Sequence, residues 1–424
     1  MLSRVVGLKK KAGIPHLLNR VIDKSIFYKL FTTYLGLWKI SSKSSPIKLY
    51  FYFLYKCFVI LMIVIFIIAL TADLYQSRDN LLIITDDGCI LAGLSVILFK
   101  LLNFQIYTDK LQVLLDFVDE NIRTLQYLKI WRQHILRERV TIYCFGTIGM
   151  CLIFALMLFT PTEFGALPIR SQYPFDITKP PLHQVMFIYQ GSVLVVAMLS
   201  ILAMDNMVLS LCSQIFCHFE ILKKNFGKSL VIDDKLETGI TEKTQYSMCY
   251  DDDEKCEINT QDNKSPEKSS GNGFIRNFTN CIKRHQEIIE FVENLDRFFS
   301  PLMFVQLMAS NVMICLTGFQ AILVVGQNSG FMKFAVYLSA AFSQLFYWCW
   351  CGNELMYQAS DIKWYLEKLT SIKSLVTIPL MRAKKPLKLT AGKFYVMSLE
   401  AFISVLSGSY SFFTLLNKMN ESVN

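Results

Sequence analysis

The stretch from Lys393 to Leu416 reads KFYVMSLEAFISVLSGSYSFFTLL and carries one acidic residue, Glu400. At about 1.5 Å per residue, a helix of this length reaches roughly 36 Å, enough to cross a hydrocarbon core of about 30 Å. Small and hydroxylated residues recur along it: Ser398, Ser404, Ser407, Gly408, Ser409, Ser411 and Thr414. Such residues let helices approach closely or line a wet passage. The stretch therefore predicts a transmembrane helix that either packs tightly in a bundle or lines a pore.

The composition of the whole chain agrees with a membrane protein. Of its 424 residues, 53% are hydrophobic and 18% are charged, whereas soluble domains have about 45–50% and about 25%. The first 46 residues are basic and lack the apolar core of a cleavable signal peptide, so we expect none. The net charge of +9 is better explained by the positive-inside rule than by nucleic acid, and we expect no nucleic-acid partner.

Apolar runs predict an all-α, polytopic protein with seven transmembrane helices. The predicted spans are 49–70, 81–106, 140–159, 185–211, 302–325, 331–352 and 393–416. The corresponding organisation is an N-terminal arm (1–48), helices 1–4 (49–211), a loop (212–300) with a disordered insertion (228–272) and a helix, helices 5–6 (301–356), a further segment (357–392), helix 7 (393–417) and a tail (418–424). The insertion is polar and poor in aromatic residues, which is typical of disorder.

The distribution of basic residues predicts the orientation. Residues 1–48 hold ten Lys and Arg, and the connections 100–139 and 357–392 hold seven each, whereas the alternate connections are sparse in them. The positive-inside rule then places the N-terminus in the cytoplasm and the C-terminus outside. This orientation is opposite to that of G-protein-coupled receptors, and no Asp-Arg-Tyr follows the third span.

The C-terminal region also carries a specific sequence pattern. Leu389-Thr-Ala-Gly-Lys-Phe-Tyr395 is followed by Ser398-Leu399, Phe402 and Ser409-Tyr-Ser-Phe-Phe-Thr-Leu-Leu416. This pattern resembles the C-terminal signature of insect odorant receptors, a family with the same inverted seven-helix topology. The related gustatory receptors end in Thr-Tyr and, later, Gln-Phe, which this chain lacks.

The resemblance implies a subunit of an odorant-gated, non-selective cation channel. It implies a heterotetramer with the odorant receptor coreceptor in the dendrite membrane of olfactory neurons, and a cytoplasmic anchor domain built from residues 100–139, 281–292 and 357–392. The outer end of helix 7 would form the pore and gate, with Tyr410, Phe413 and Asn417 on one face. The coreceptor has an aliphatic residue where Phe413 stands, which favours an odorant-tuning subunit. Alternatively, Phe413 faces a neighbouring helix.

The resemblance also implies a ligand pocket in the outer half of the bundle, between the second, third, fourth and sixth helices. The residues that we place there are Thr85, Phe154, Leu158, Tyr189, Val193, Phe334, Tyr337 and Ala341. Such a lining would bind a small volatile hydrophobic odorant by shape and dispersion, with one or two hydrogen bonds fixing its orientation. Each of these residues could equally be part of the packed core.

Other classes of function find less support. The five His residues have no recurrent acid or nucleophile partners, so we expect no enzyme, no metal site and no cofactor. Asp205 lies in the inner third of the fourth span, where an acid is functional, reaches the headgroups or caps the cytoplasmic helices. The alternatives are a metabotropic chemoreceptor, a gustatory-receptor-like channel and a secondary transporter, although no inverted repeat is visible.

Overall fold

The computed structural model describes residues 45–79, 81–121, 128–158, 167–177, 181–238, 269–323, 328–368 and 373–423. These residues are almost entirely helical. The elements are α1 (Pro46–Gln76), α2 (Leu81–Ile106), α3 (Thr108–Asn121), α4 (Leu128–Leu158), α5 (Leu182–Thr238), α6 (Ser269–Leu323), α7 (Asn328–Glu367), α8 (Lys373–Lys384), β1 (Thr390–Ala391), β2 (Tyr395–Val396) and α9 (Leu399–Val423). Residues 1–44 of the predicted N-terminal arm and residues 239–268 of the predicted insertion lie outside the described residues.

Each predicted span coincides wholly or largely with a helix. Within the described residues, length and composition alone identify four helices able to cross a membrane, at Pro46–Gln76, Ile83–Ile106, Leu182–Ser229 and Ile275–Ala321. A shorter apolar helical stretch covers Leu399–Leu415. The predicted third and sixth spans lie in α4 and α7, apart from Phe159, which lies beyond the described part of α4.

The predicted start of the seventh helix at Lys393 is wrong. Gly392 and Lys393 have φ angles of 61° and 64°, which are left-handed and incompatible with a continuing right-handed helix. They turn the chain between β1 and β2, so that Thr390 pairs with Val396 and Ala391 with Tyr395. The helix begins instead at Leu399 and continues to Val423, which makes most of the predicted tail helical.

The hairpin fixes the start of α9 against α6. Asp296 accepts hydrogen bonds from the backbone N–H of Thr390 at 2.6 Å and from its Oγ1 at 2.9 Å. The Ser300 carbonyl accepts from Gly392 N at 2.9 Å, and its hydroxyl accepts from Lys393 N at 3.1 Å. Ser398 then caps α9 by accepting from Ala401 N at 3.2 Å. The signature residues Thr390 and Gly392 therefore have a structural role.

The chain divides into two compact units, Met1–Gln214 with Asn294–Glu354 and Lys388–Asn424, and Ile215–Glu293 with Leu355–Leu387. The second unit contains most of the residues of the predicted anchor segments 281–292 and 357–392, whereas 100–139 belongs to the first unit. Inside the second unit, Lys223 forms an ion pair with Asp361 at 2.9 Å. Within the predicted disordered insertion, residues 228–238 and 269–272 are helical.

Candidate functional site

The first unit contains a cavity of about 170 Å³ between α2, α4, α5 and α7. These are the second, third, fourth and sixth predicted spans. One residue of α6, Met313, and one residue of the segment before α5, Ile169, complete the described wall. The remaining wall residues are Cys89, Ile90, Gly93, Leu94, Ile97, Phe145, Ile148, Gly149, Leu194, Ala197, Met198, Ile201, Leu202, Tyr337, Ala340, Ala341, Ser343 and Gln344.

Small residues at facing positions provide the space for this cavity. Gly93 on α2, Gly149 on α4 and Ala341 on α7 all belong to the wall. At Gly149 an added Cβ would lie 2.8 Å from Cε of Met198. Flexible methionines such as Met198 and Met313 can adapt their shape to what they contact. The wall is therefore mainly apolar and adaptable.

The oxygen- and nitrogen-bearing side chains of the described wall, Tyr337, Ser343 and Gln344, all belong to α7. Tyr337 and Gln344 are separated by roughly 10 Å along the helix axis, given about 1.5 Å per residue. Ser343 donates its hydroxyl hydrogen to the Ala340 carbonyl at 2.9 Å. The wall is otherwise apolar apart from the Tyr337 hydroxyl, and the part formed by Ser343 and Gln344 is called the polar end of the cavity.

A buried ion pair lies directly behind this polar end. Gln344 Nε2 donates to Asp205 Oδ2 at 2.5 Å, and Lys100 Nζ donates to Asp205 Oδ1 at 2.8 Å. The side chains of Lys100 and Asp205 are each 3% exposed. Charges withdrawn from water to this extent are tolerated when they are paired and hydrogen-bonded. The expectation that Asp205 reaches the headgroups is therefore wrong.

Two further contacts extend the network. Gln306 on α6 donates from Nε2 to Gln344 Oε1 at 3.1 Å and to Ser310 Oγ at 3.1 Å. The Lys100 ammonium lies 5.4 Å from the ring centroid of Trp348, within the range of a cation–π interaction. The network therefore joins α2, α5, α6 and α7.

Residues 167–177 fold back onto the same unit and reach the cavity through Ile169. The Gln190 side chain, which is fully buried, holds this segment. Its Oε1 accepts from Ile169 N at 3.1 Å, and its Nε2 donates to Ser171 Oγ at 2.7 Å. Arg170 forms an ion pair with Asp73 on α1 at 3.0 Å. The Gln190 side chain and the Arg170 ion pair thus both hold the segment that places Ile169 on the cavity wall.

The structure places two of the eight predicted pocket residues, Tyr337 and Ala341, on the cavity wall. Phe334 packs edge-on against Tyr337 at 6.1 Å between ring centroids, outside the described wall. Val193 is buried beside the wall residue Leu194.

The other predicted pocket residues lie elsewhere. Thr85 is buried and accepts a hydrogen bond from Gln320. Tyr189 donates its hydroxyl to the Met62 carbonyl at 2.7 Å and so joins α5 to α1. Phe154 is 65% exposed on the surface of the isolated chain. The side chain of Leu158 lies outside the described residues. Thr85, Phe154 and Tyr189 thus lie on helices that border the cavity, α2, α4 and α5, but outside its described wall.

Sequence reasoning missed the wall residues Phe145, Ile148 and Gly149 of α4, as well as the role of Gln344. One signal was available. Lys100 and Asp205 are opposite charges within two different predicted spans, and such charges usually pair. A predicted ion pair between Lys100 and Asp205 would have placed α2 beside α5, with these two residues at the same depth in the membrane.

The predicted pore residues lie on α9. One face of this helix packs within the unit, since Ser409 donates to Asn311 Oδ1 at 2.7 Å and Phe402 lies 5.5 Å from Phe346 between ring centroids. Tyr410 is 67% exposed, and its ring centroid lies 6.1 Å from that of the half-buried Phe413. The side chain of Asn417 lies outside the described residues.

The long apolar helices, with a mainly apolar cavity between them, are typical of a polytopic helical membrane protein. The family model described as 7tm Odorant receptor matches residues 80–410. Since this match covers more than half of the chain, the chain belongs to the odorant receptor family.

Relatives in insects have similar sequences. Odorant receptor 13a of Drosophila melanogaster is 32% identical over 158 residues, which cover 32% of this chain and 37% of that receptor. Odorant receptor 83a of the same organism is 24% identical over 317 residues, covering 68% of each chain. The odorant receptor coreceptor of Anopheles gambiae is 22% identical over 306 residues, covering 60% of this chain and 63% of the coreceptor. The chain thus spans little more than a third of the length of the first relative.

A solved structure shows the same fold. The insect olfactory receptor OR5 from Machilis hrabei, in complex with eugenol, superposes with a TM-score of 0.72 at 16% sequence identity. The superposition covers 95% of this chain and 99% of that chain. The fold is accordingly all-α, with seven transmembrane helices.

Proposed function

We propose that this chain is the odorant-tuning subunit of an odorant-gated, non-selective cation channel. A small volatile molecule would bind in the cavity between α2, α4, α5 and α7. Binding would shift the population from closed to open states of a central pore lined by α9. The observation that carries the proposal is the mainly apolar cavity, since it lies between the four helices that the family resemblance implies.

The size of the cavity supports a volatile ligand. An apolar cavity of about 150 Å³ in another protein stays dry and binds benzene. At about 170 Å³, the present cavity has room for a ligand with one ring or a short alkyl chain. Its aliphatic and aromatic wall would bind such a molecule mainly by dispersion and by removing apolar surface from water.

The surface of α9 supports the pore. Ser404, Ser407 and Ser411 lie three or four residues apart and are exposed in the isolated chain, so they share one face of the helix. The opposite face, with Ala401, Val405 and Ser409, is buried. A hydroxylated face left uncovered by its own chain suits a wet passage shared among subunits. Near the outer end, Tyr410, which is exposed in the isolated chain, would form the hydrophobic constriction that gates by dewetting. Phe413 would complete it from the edge of the buried face, since it lies four residues after Ser409.

The odorant receptor coreceptor is the proposed partner, in a heterotetramer within the dendrite membrane of olfactory neurons. Sequence similarity to the Anopheles gambiae coreceptor supports a shared assembly surface. The basic connections 1–48 and 357–392 support a cytoplasmic N-terminus and an extracellular C-terminus. A metabotropic receptor would require the reverse orientation.

The test is co-expression with the coreceptor in a voltage-clamped cell, screened against volatile esters, alcohols, aldehydes and terpenes. The proposal expects cation currents that need both chains and that begin without a G-protein-dependent delay. Ligand-dependent currents that vanish when G proteins are blocked would instead favour the metabotropic alternative. A tag placed after Asn424 should also be reached by antibody in intact cells.

A further inference from the structure

We propose that the cavity is specific for volatile molecules that carry a hydroxyl group, and that Gln344 and Ser343 bind that hydroxyl. This inference rests on the proposed function and names the ligand class of the same site. Both residues are consecutive on α7 and both belong to the cavity wall.

The hydrogen-bond partners of Gln344 determine which group of its amide remains available to a ligand. Its Nε2 donates to Asp205 Oδ2 at 2.5 Å, and its Oε1 accepts from Gln306 Nε2 at 3.1 Å. The opposite assignment would bring the amide oxygen against the carboxylate, so the orientation is determined by the network. An amide nitrogen carries two hydrogens, and Asp205 takes one. The second can be donated to a ligand oxygen.

Ser343 offers the complementary function. Its hydroxyl hydrogen is donated to the Ala340 carbonyl at 2.9 Å, which leaves the lone pairs of Oγ as acceptors. The polar end of the cavity therefore presents one N–H donor and one oxygen acceptor on adjacent residues. A hydroxyl group can accept from the first and donate to the second. A carbonyl can only accept, and a hydrocarbon can do neither.

The buried ion pair makes this arrangement rigid. Lys100 holds Asp205 at 2.8 Å, and Asp205 in turn holds Gln344. A polar group that is already ordered loses little conformational freedom when a ligand binds. A ligand without a polar group would bury the polar end of the cavity without replacing its hydrogen bonds, which costs free energy.

Two series of molecules with matched shapes test the inference. The first is 1-phenylethanol, acetophenone and isopropylbenzene. The second is 2-heptanol, 2-heptanone and 2-methylheptane. In each series the hydroxyl, carbonyl and methyl groups occupy the same place. We expect the alcohol of at least one series to activate at about a tenfold lower concentration than the hydrocarbon, with the ketone between them.

Two variants separate the roles of the two residues. Gln344→Met removes the donor and should weaken the responses to the alcohol and the ketone by similar factors, without weakening the response to the hydrocarbon. Ser343→Ala removes the acceptor and should weaken only the response to the alcohol. Ser339→Ala is the matched control, because Ser339 lies on the same helix, donates its hydroxyl to the Val336 carbonyl at 2.8 Å and lies off the described wall. It should leave the order of the three molecules intact.

Surface labelling of each variant separates a loss of binding from a loss of expression. If Gln344→Met does not reach the cell surface, Ser343→Ala still tests the inference, because it should weaken the response to the alcohol and not the response to the ketone. The inference is overturned if no alcohol of either series activates the receptor, if alcohol and hydrocarbon activate equally, or if Ser343→Ala weakens alcohol and ketone alike. If volatile-dependent currents that require the coreceptor persist in those cases, the proposed function stands without this inference.

Discussion

Gln344 on the cavity wall is hydrogen-bonded to Asp205, with 2.5 Å between Nε2 and Oδ2. Asp205 is also the partner of Lys100 in an ion pair that is almost completely withdrawn from solvent. The Gln344 amide on the cavity wall is therefore one hydrogen bond away from a buried charge. The three residues join α2, α5 and α7 at this point.

Lys100→Met should strongly destabilise the protein. Removing one member of a buried ion pair leaves the other charge uncompensated, at a cost of about 3–5 kcal/mol in the free energy of unfolding. Adding Asp205→Asn should restore most of the loss, because no unpaired charge then remains. Thermal unfolding in detergent of the single and double variants measures both effects. Destabilisations that simply add would show that the two side chains do not act as a pair.

Gln190→Leu should release the segment at residues 167–177. Leucine offers no acceptor to the N–H of Ile169 and no donor to Ser171, both of which Gln190 binds. We expect the local opening free energy of this segment to fall by about 1–3 kcal/mol. Hydrogen exchange at the Ile169 amide measures it.

The control for this variant is Gln214→Leu, on the same helix but distant from the segment along the chain. It should leave exchange at Ile169 unchanged. Unaltered exchange in Gln190→Leu as well would mean that other contacts, such as Arg170 with Asp73, hold the segment by themselves.

Gly392→Ala should destabilise the junction between the hairpin and α9. The left-handed backbone costs an L-residue about 1–2 kcal/mol, and the new Cβ would lie 2.9 Å from Cδ2 of Phe304. Gly318→Ala is the matched control, since nothing lies within 4 Å of a Cβ there and alanine favours a helix. The midpoint temperature of thermal unfolding should fall for Gly392→Ala and should not fall for Gly318→Ala. Equal stability for both would remove the structural reason for glycine at 392.

The Gly392 turn shows where sequence reasoning stops. Apolar runs located the helices because the requirement for an apolar surface in lipid is local in sequence. The same criterion missed the short hairpin, since residues 394–397, Phe-Tyr-Val-Met, extend the apolar run of the helix that follows. The hairpin depends on Asp296 and Ser300, which lie about 90 residues earlier.

The candidate site was predictable only at the level of helices. The family resemblance selected the helices that surround the cavity, but a rotation of a helix by one residue, about 100°, changes which side chains face inward. On α4, Phe154 was therefore predicted to line the pocket, whereas the phenylalanine that lines the cavity wall is Phe145. The bond between Gln344 and Asp205 spans 139 residues and has no local signal in the sequence.

Phe413→Ala should change permeation if α9 lines the pore as proposed. Removal of the ring would widen a hydrophobic constriction and should alter rectification, cation selectivity or sensitivity to a pore blocker. Phe412→Ala is the control, because its ring lies about 100° further round the helix. The measurement is the current–voltage relation under bi-ionic conditions. Unchanged permeation in Phe413→Ala would place this residue outside the pore.

The most direct test of the central claim is to fill the cavity and measure the concentration–response curve of an activating volatile. Ala341 is a buried wall residue, and Ala341→Leu would occupy part of the 170 Å³. Ala335→Leu adds the same volume to the same helix off the described wall. The account predicts that Ala341→Leu raises the half-maximal concentration at least tenfold at equal surface expression, while Ala335→Leu leaves it unchanged. An unchanged curve for Ala341→Leu would contradict the assignment of this cavity as the ligand site.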